Sequence, residues 1–168
     1  KRFNIRIPCE DWERVPWFDA VNHTRFSLHG VGYSGRYQGG RSRSLHGIES
    51  DDYISAELLT GHALMIDRGG LVHGAVRKYW LAQDLIRSLA MDEIKDFEFA
   101  DGDIHRAIVT WKSGARVYVN RSESDWIVAG RTLPRYGYLA KNGEIESSIE
   151  RLGGVIVERS RTKDRFYV

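Results

Sequence analysis

From residue 94 to the C-terminus the chain alternates apolar and polar side chains with period two, and turn residues interrupt the alternation at short intervals. That period sends successive side chains to opposite faces of an extended strand, so each segment has one greasy face and must pair laterally to hide it. The candidate strands are 94–100, 104–111, 115–120, 126–129, 136–141, 144–151, 155–160 and 165–168. Asp101-Gly-Asp, Lys112-Ser-Gly, Asn142-Gly and Gly153-Gly separate them, and these are the residue types that tight turns select. Asn142-Gly143 between two alternating runs predicts a hairpin of the I′ type. Short strands with closely spaced turns predict an antiparallel sandwich or open barrel.

Before residue 93 the pattern changes. Ser50 or Asp51 is an N-cap candidate, two acids occupy the first turn, and Gly61 is a stop, which together predict a helix. The apolar run 62–67 reads as a buried strand or a continued helix. Residues 71–91 give the clearest helix: Val72, Val76, Tyr79, Gln83, Ile86 and Leu89 recur at spacings of three and four. They predict the buried stripe, with Arg77, Lys78, Asp84 and Arg87 off it. Residues 3–7 and 24–29 alternate like short strands, and 10–22 is irregular and aromatic. The change of character divides the chain into 1–92 and 93–168, and no Pro- or Ser-rich linker lies between them. Such a junction predicts two subdomains packed rigidly together.

A chain of 168 residues, 42% hydrophobic and 29% charged, can build one substantial core or two small ones. No apolar run reaches the ~18 residues that would span a bilayer, so no membrane partner is expected. Twenty-five Lys and Arg against 23 Asp and Glu leave the charge balanced, where a nucleic-acid binder concentrates positive charge. Cys9 is the only cysteine, which excludes an intrachain disulfide and a cysteine-based zinc site. The pairs His29…His46 and His46…His62 lack helical ligand spacing, so no metal site is expected; no cofactor is expected either.

Residues 29–47, HGVGYSGRYQGGRSRSLHG, gather glycines, arginines, histidines and tyrosines in one run. Glycines 30, 32 and 35 have dinucleotide-fingerprint spacing, but no helical pattern begins after them. A disordered arginine-glycine arm fits poorly, since such arms lie at termini and lack an adjoining strand; a nucleic-acid binder using Arg36–Arg43 is the third-ranked reading, and it predicts affinity that falls steeply with salt. The reading retained is an ordered polar loop at a strand end, weighed equally against a solvated connector. Within it His29, Tyr33, Arg36, Tyr37 and His46 are the candidate substrate-binding residues, Arg36 through its fork of donors. Glu49, Asp51, Asp52 and Glu57 form the main acidic group. Asp51 and Asp52 read as helix-capping acids, whereas Glu57 reads either as a helix-side carboxylate or as one member of a catalytic pair. Trp111, Tyr118, Trp126, Tyr136 and Tyr138 supply either a sugar-stacking face or, the reading preferred, the core. Asn22-His-Thr24 and Asn120-Arg-Ser122 match the glycosylation sequon, which has meaning only in a eukaryotic secretory host.

Two longer segments resemble a known family. ISAELLTGHALMIDRGGLVHGAVRKYWLAQDLIRSLA is similar to the last strand–helix units of glycoside-hydrolase-type (β/α)8 barrels. VTWKSGARVYVNRSESDWIVAGRTLPRYGYLAKNG resembles the small β-sandwich that follows such barrels. Together they cover residues 54–143, and their motifs are structural. The resemblance implies an α+β chain: a partial α/β barrel over 1–92 packed on an antiparallel β-sandwich over 93–168. A full barrel needs ~250 residues, so the resemblance also implies the C-terminal piece of a larger enzyme, consistent with an opening Lys1. The catalytic carboxylates would then lie partly or wholly upstream, with Glu57 the candidate contributed here. The implied activity is hydrolysis of a glycosidic bond by two carboxylates about 5 to 10 Å apart. The implied partners are a carbohydrate and either the rest of the parent chain or a second copy, and the implied location is secreted or periplasmic. The alternative is a non-catalytic carbohydrate-binding or interaction module.

Overall fold

Each period-two segment after residue 93 becomes a strand, and lateral pairing joins most of them into one sheet. In the computed structural model residues 16–26, 48–66 and 72–168 are described. The strands are β1 (Ile94–Phe99), β2 (Arg106–Trp111), β3 (Arg116–Asn120), β4 (Trp126–Val128), β5 (Arg131–Leu133), β6 (Tyr138–Asn142), β7 (Ile145–Leu152), β8 (Val155–Arg161) and β9 (Phe166–Tyr167). Seven of them form a sheet in the order β1-β2-β3-β6-β7-β8-β9, every neighbouring pair antiparallel, while β4 and β5 pair with each other alone. The helices are α1 (Trp17–Asn22), α2 (Asp51–Thr60) and α3 (His73–Leu89). No helix of the described residues is long and apolar enough to cross a membrane.

Register decides which residues face the helices. Val109 pairs with Val117, Val119 with Tyr138, and Tyr138 with Ile149, so these side chains form one continuous apolar face. That face, with Trp111, Ala115 and Ala140, closes on Ile54 and Leu58 of α2 and on Leu81, Leu85 and Leu89 of α3. At ~25 cal/mol per Å² of apolar surface removed from water, each of these large side chains contributes on the order of 2 kcal/mol. The opposite face carries Ile108, Tyr118 and Leu139, in register with one another, and the β4–β5 hairpin covers them with Trp126 and Leu133. The result is three layers: helices, sheet, hairpin.

This architecture corrects the expected fold class. The described residues contain neither a partial barrel nor a sandwich: no two strands run parallel, and the run 62–66 makes only an isolated bridge. A sandwich needs a second full sheet over the apolar face, and α2 and α3 occupy that place instead. Two further differences have local causes. The hairpin near Asn142 pairs Asn142 with Ile145, so its two-residue loop is Gly143-Glu144, one residue later than expected. Gly143 takes φ +56 at the first central position, which a side chain would resist. The stripe along α3 holds in its second half, where Gln83, Ile86 and Leu89 are buried, but is rotated in its first, where Ala75 and Lys78 face inward and Val72, Val76 and Tyr79 are exposed. The expected boundaries of α2 hold, with Ser50 Oγ accepting from Tyr53 N at 3.3 Å and Gly61 closing the helix at φ +68. The expected strand over 24–29 is a turn at 24–26, and its remainder, like residues 3–7, lies outside the described residues.

Asn120 joins the sheet to the hairpin. Its Nδ2 donates to Ser124 O and Leu133 O, both at 2.8 Å, and its Oδ1 accepts from Ser122 N at 3.0 Å and Ser122 Oγ at 2.6 Å. The backbone of the same residue bonds Gly137 O at 2.9 Å and Tyr136 N at 2.6 Å, so the whole Leu133–Gly137 turn hangs on it. Fully buried and fully bonded, Asn120 is closed to the glycosylation that its sequon suggests. Asn120→Ala removes both amide donors and leaves Leu133 O without its side-chain donor, while Ser124 O keeps Ser122 Oγ at 2.9 Å, an expected loss of about 2–4 kcal/mol in urea unfolding. Asn120→Asp, which keeps the size but cannot donate, is expected to be at least as damaging.

Candidate functional site

The acidic group before the long helix is dispersed by the fold into separate contacts. Asp51 pairs with Arg77, which also grips Glu158 of β8 through Nε at 2.9 Å from each carboxylate oxygen. Asp52 pairs with Arg121. The Glu49 carboxylate lies against Gly74 at the start of α3, where a Cβ would come within 2.4 Å of its Oε2. Each acid is thereby drawn into joining two elements.

Glu57 points into the protein. It is 3% exposed, and its Oε1 accepts from Met65 N at 2.9 Å. Its Oε2 lies 2.7 Å from Lys78 Nζ, an ion pair off the ideal hydrogen-bond direction. Lys78 is completely buried and donates to Ile48 O and Met65 O, each at 2.7 Å, with its ammonium 4.7 Å from the centre of the Tyr53 ring. Burial pushes the Glu57 carboxyl up from 4.5 to about 7 against the pull of Lys78. Burial likewise lowers Lys78 despite the carboxylates of Glu57 and Glu49. A raised carboxyl is what a general acid needs, yet this one faces an ammonium. Its position makes it a link between α2, α3 and the 48–66 segment.

The accessible chemistry lies elsewhere, along the edge between α3 and β8–β9. There Trp80 and Asp84 of α3 face Ser160 and Tyr167 across a small, solvent-open groove, completed by Thr162, Arg165 and Phe166. Helical spacing places Trp80 and Asp84 on one side of α3. The turn after β8 supplies the rest: Thr162 Oγ1 accepts from Arg165 N at 3.1 Å, and Thr162 N donates to Arg165 O at 2.9 Å. So held, Arg165 donates to Asp84 Oδ1 at 2.6 Å and stands 5.8 Å from the centre of the Trp80 ring. Phe166 is 68% exposed beside it. The groove thus sets the edges of aromatic rings beside an ion pair and three hydroxyls.

Of the residues singled out from sequence as site candidates, only Glu57 falls within the described residues; His29, Tyr33, Arg36, Tyr37 and His46 all lie outside them. Trp111 and Tyr138 are fully buried and Trp126 nearly so, as the core reading has it. Sequence spacing does not predict the groove, because its halves stand about eighty residues apart in the chain; the Trp80–Asp84 spacing is its one local signal. Among the described residues no group of three or more His, Cys, Asp or Glu is placed to hold a metal ion. No protein-family profile matches the chain, and no curated protein matches it.

The Glu57–Lys78 pair generates a prediction. Lys78→Met leaves a buried carboxylate uncompensated and is expected to cost about 3–5 kcal/mol, part of which Glu57→Gln in the same chain restores. Because the folded value of Glu57 lies above the unfolded one, its contribution is complete below pH 4.5 and is lost as pH rises through about 7. Denaturant melts of Glu57→Gln are expected to show a shallower fall in stability across that window than those of the unaltered protein.

Proposed function

We propose that this chain is an accessory module of a carbohydrate-active enzyme of glycoside-hydrolase type, and that it contacts sugar rather than cleaving it with Glu57. The observation that carries this reading is the groove at Trp80, where exposed aromatic surface adjoins the Asp84–Arg165 pair. A pyranose has apolar C–H faces that stack on such rings and a rim of hydroxyls that needs both donors and acceptors. Asp84 accepts, Arg165 donates, and the hydroxyls of Ser160, Thr162 and Tyr167 do both. Glu57 is assigned to the support of the fold by its inward contact with Lys78.

A panel of neutral oligosaccharides (cello-, xylo-, malto- and chito-series), titrated against tryptophan fluorescence and checked by calorimetry, tests the proposal. At least one series is expected to bind saturably with little dependence on salt. Trp80→Ala and the exposed Phe166→Ala are each expected to weaken that binding about tenfold, equivalent to ~1.4 kcal/mol. Absence of binding across the panel, or binding that both variants leave intact, overturns it.

A second reading, an interaction module, is favoured by the exposed stripe Val72, Val76 and Tyr79 along α3. A stripe of this kind on a helix otherwise seated in a core is the surface another protein body covers. Sedimentation over a range of concentrations is expected to show self-association that Val76→Glu abolishes; a monomer at all concentrations leaves the rest of a parent chain as the occupant to test by co-expression.

A further inference from the structure

Helix α1 is attached to the body in an unusual way. None of its own residues is buried, and Trp17, Phe18 and Val21 are all exposed. Apolar burial, which ordinarily seats a short helix, therefore contributes little. Among the described residues the polar links from this helix and its cap to the body run through two imidazoles. His23, the C-cap, is 3% exposed and lies edge-on to the buried Trp111 ring at 4.7 Å between centroids. Its Nδ1 is 2.9 Å from Asp92 O and its Nε2 is 3.1 Å from Gly61 O. From the body side, His62 Nε2 contacts the Asp19 carboxylate of α1.

Both partners of His23 are carbonyl oxygens, and a carbonyl only accepts. A neutral imidazole has one N–H, so one of its two contacts would set a nitrogen lone pair against an oxygen lone pair. The imidazolium donates from both nitrogens and satisfies both carbonyls with charge-assisted bonds. The His62–Asp19 contact likewise gains an ion pair when the ring is charged. We infer that α1 is a pH-released strap, fastened to the α2 cap and the α3–β1 junction by the protonated rings of His23 and His62 and let go when they lose their protons. Release uncovers one side of Trp111 and the Gly61–His62 turn.

The charged groups around the two rings come from every element that packs there. Asp92, at the junction, accepts from Glu93 N at 2.8 Å and from Ser113 N at 3.2 Å. Glu93 pairs with Lys112 at 2.6 Å beside β2. Glu57 of α2 and Asp19 of α1 face His62. On the strap's own turn, Arg25 is exposed. None of these offers either carbonyl an alternative donor in the hydrogen bonds observed.

The sign follows from the chemistry: the strap is closed in acid and opens as pH rises. The test uses the unaltered protein, uniformly labelled with nitrogen-15, between pH 5 and 9. Long-range proton–nitrogen spectra are expected to show both ring nitrogens of His23 protonated where α1 is docked. Amide protection over 17–23 is expected to drop about tenfold or more through that ring's titration, reversibly, while β2, β3 and β6 keep theirs. His23→Gln combined with His62→Gln is expected to leave α1 exchange independent of pH, with the sheet amides reporting whether the variant is folded. A single neutral tautomer of His23 with α1 still protected, or protection that does not change with pH in the unaltered protein, overturns the inference, and neither result depends on the variant folding.

Discussion

The seal between the inner face of the seven-stranded sheet and the helices α2 and α3 is the constraint on which the rest depends. Antiparallel pairing sets Val109, Val117, Val119, Tyr138, Ala140 and Ile149 in register, and an apolar surface of that extent cannot face water. Ile54, Leu58, Leu81, Leu85 and Leu89 close it from the helix side. Lys78 sits inside this seal, and its charge is tolerated because Glu57, Ile48 O and Met65 O surround its ammonium. The interior therefore holds an ion pair that helps position the 48–66 segment on α3.

The opposite face follows a different logic. Its apolar area is small, and a two-stranded hairpin suffices to cover it. The hairpin is fastened by polar contacts: Asn120 holds its ends, and Arg131 reaches across to Glu150 at 3.0 Å and Glu146 at 2.9 Å on β7. Burial would raise the Glu146 carboxyl, but Lys141 and Arg131 outweigh it and hold the group below its usual range. Resistance to change on this side rests on geometry and charge more than on apolar area.

These two surfaces explain where ligand chemistry is left accessible. Among the described residues the inner face is consumed by the helices and much of the outer by the hairpin, and a concavity is left at the edge where α3 leaves the sheet beside the short β9. β9 pairs with β8 only at Ser160 and Arg161. Its brevity exposes Phe166 and leaves Trp80 and Asp84 within reach of Arg165. The groove is thus a by-product of unequal element lengths.

Local pattern determined the strands after residue 93 apart from β5, most turns between them, the ends of α2 and the existence of α3, because period, capping residues and glycine conformations act over a few residues. The core role of Trp111 and Tyr138 was legible for the same reason: both sit at alternating positions in strongly patterned runs. Only the tertiary structure decided that the strands share one sheet with helices on one face, since period two says which residues share a side but not what covers it. It also decided that Lys78 turns inward and Val76 outward on α3, the reverse of what helical spacing predicted, because Glu57 and two carbonyls take up the buried ammonium. The meeting of Trp80 with Arg165, and of His23 with Gly61 and Asp92, is long-range in the chain. Such contacts are set by how the layers stack, and no local rule encodes them.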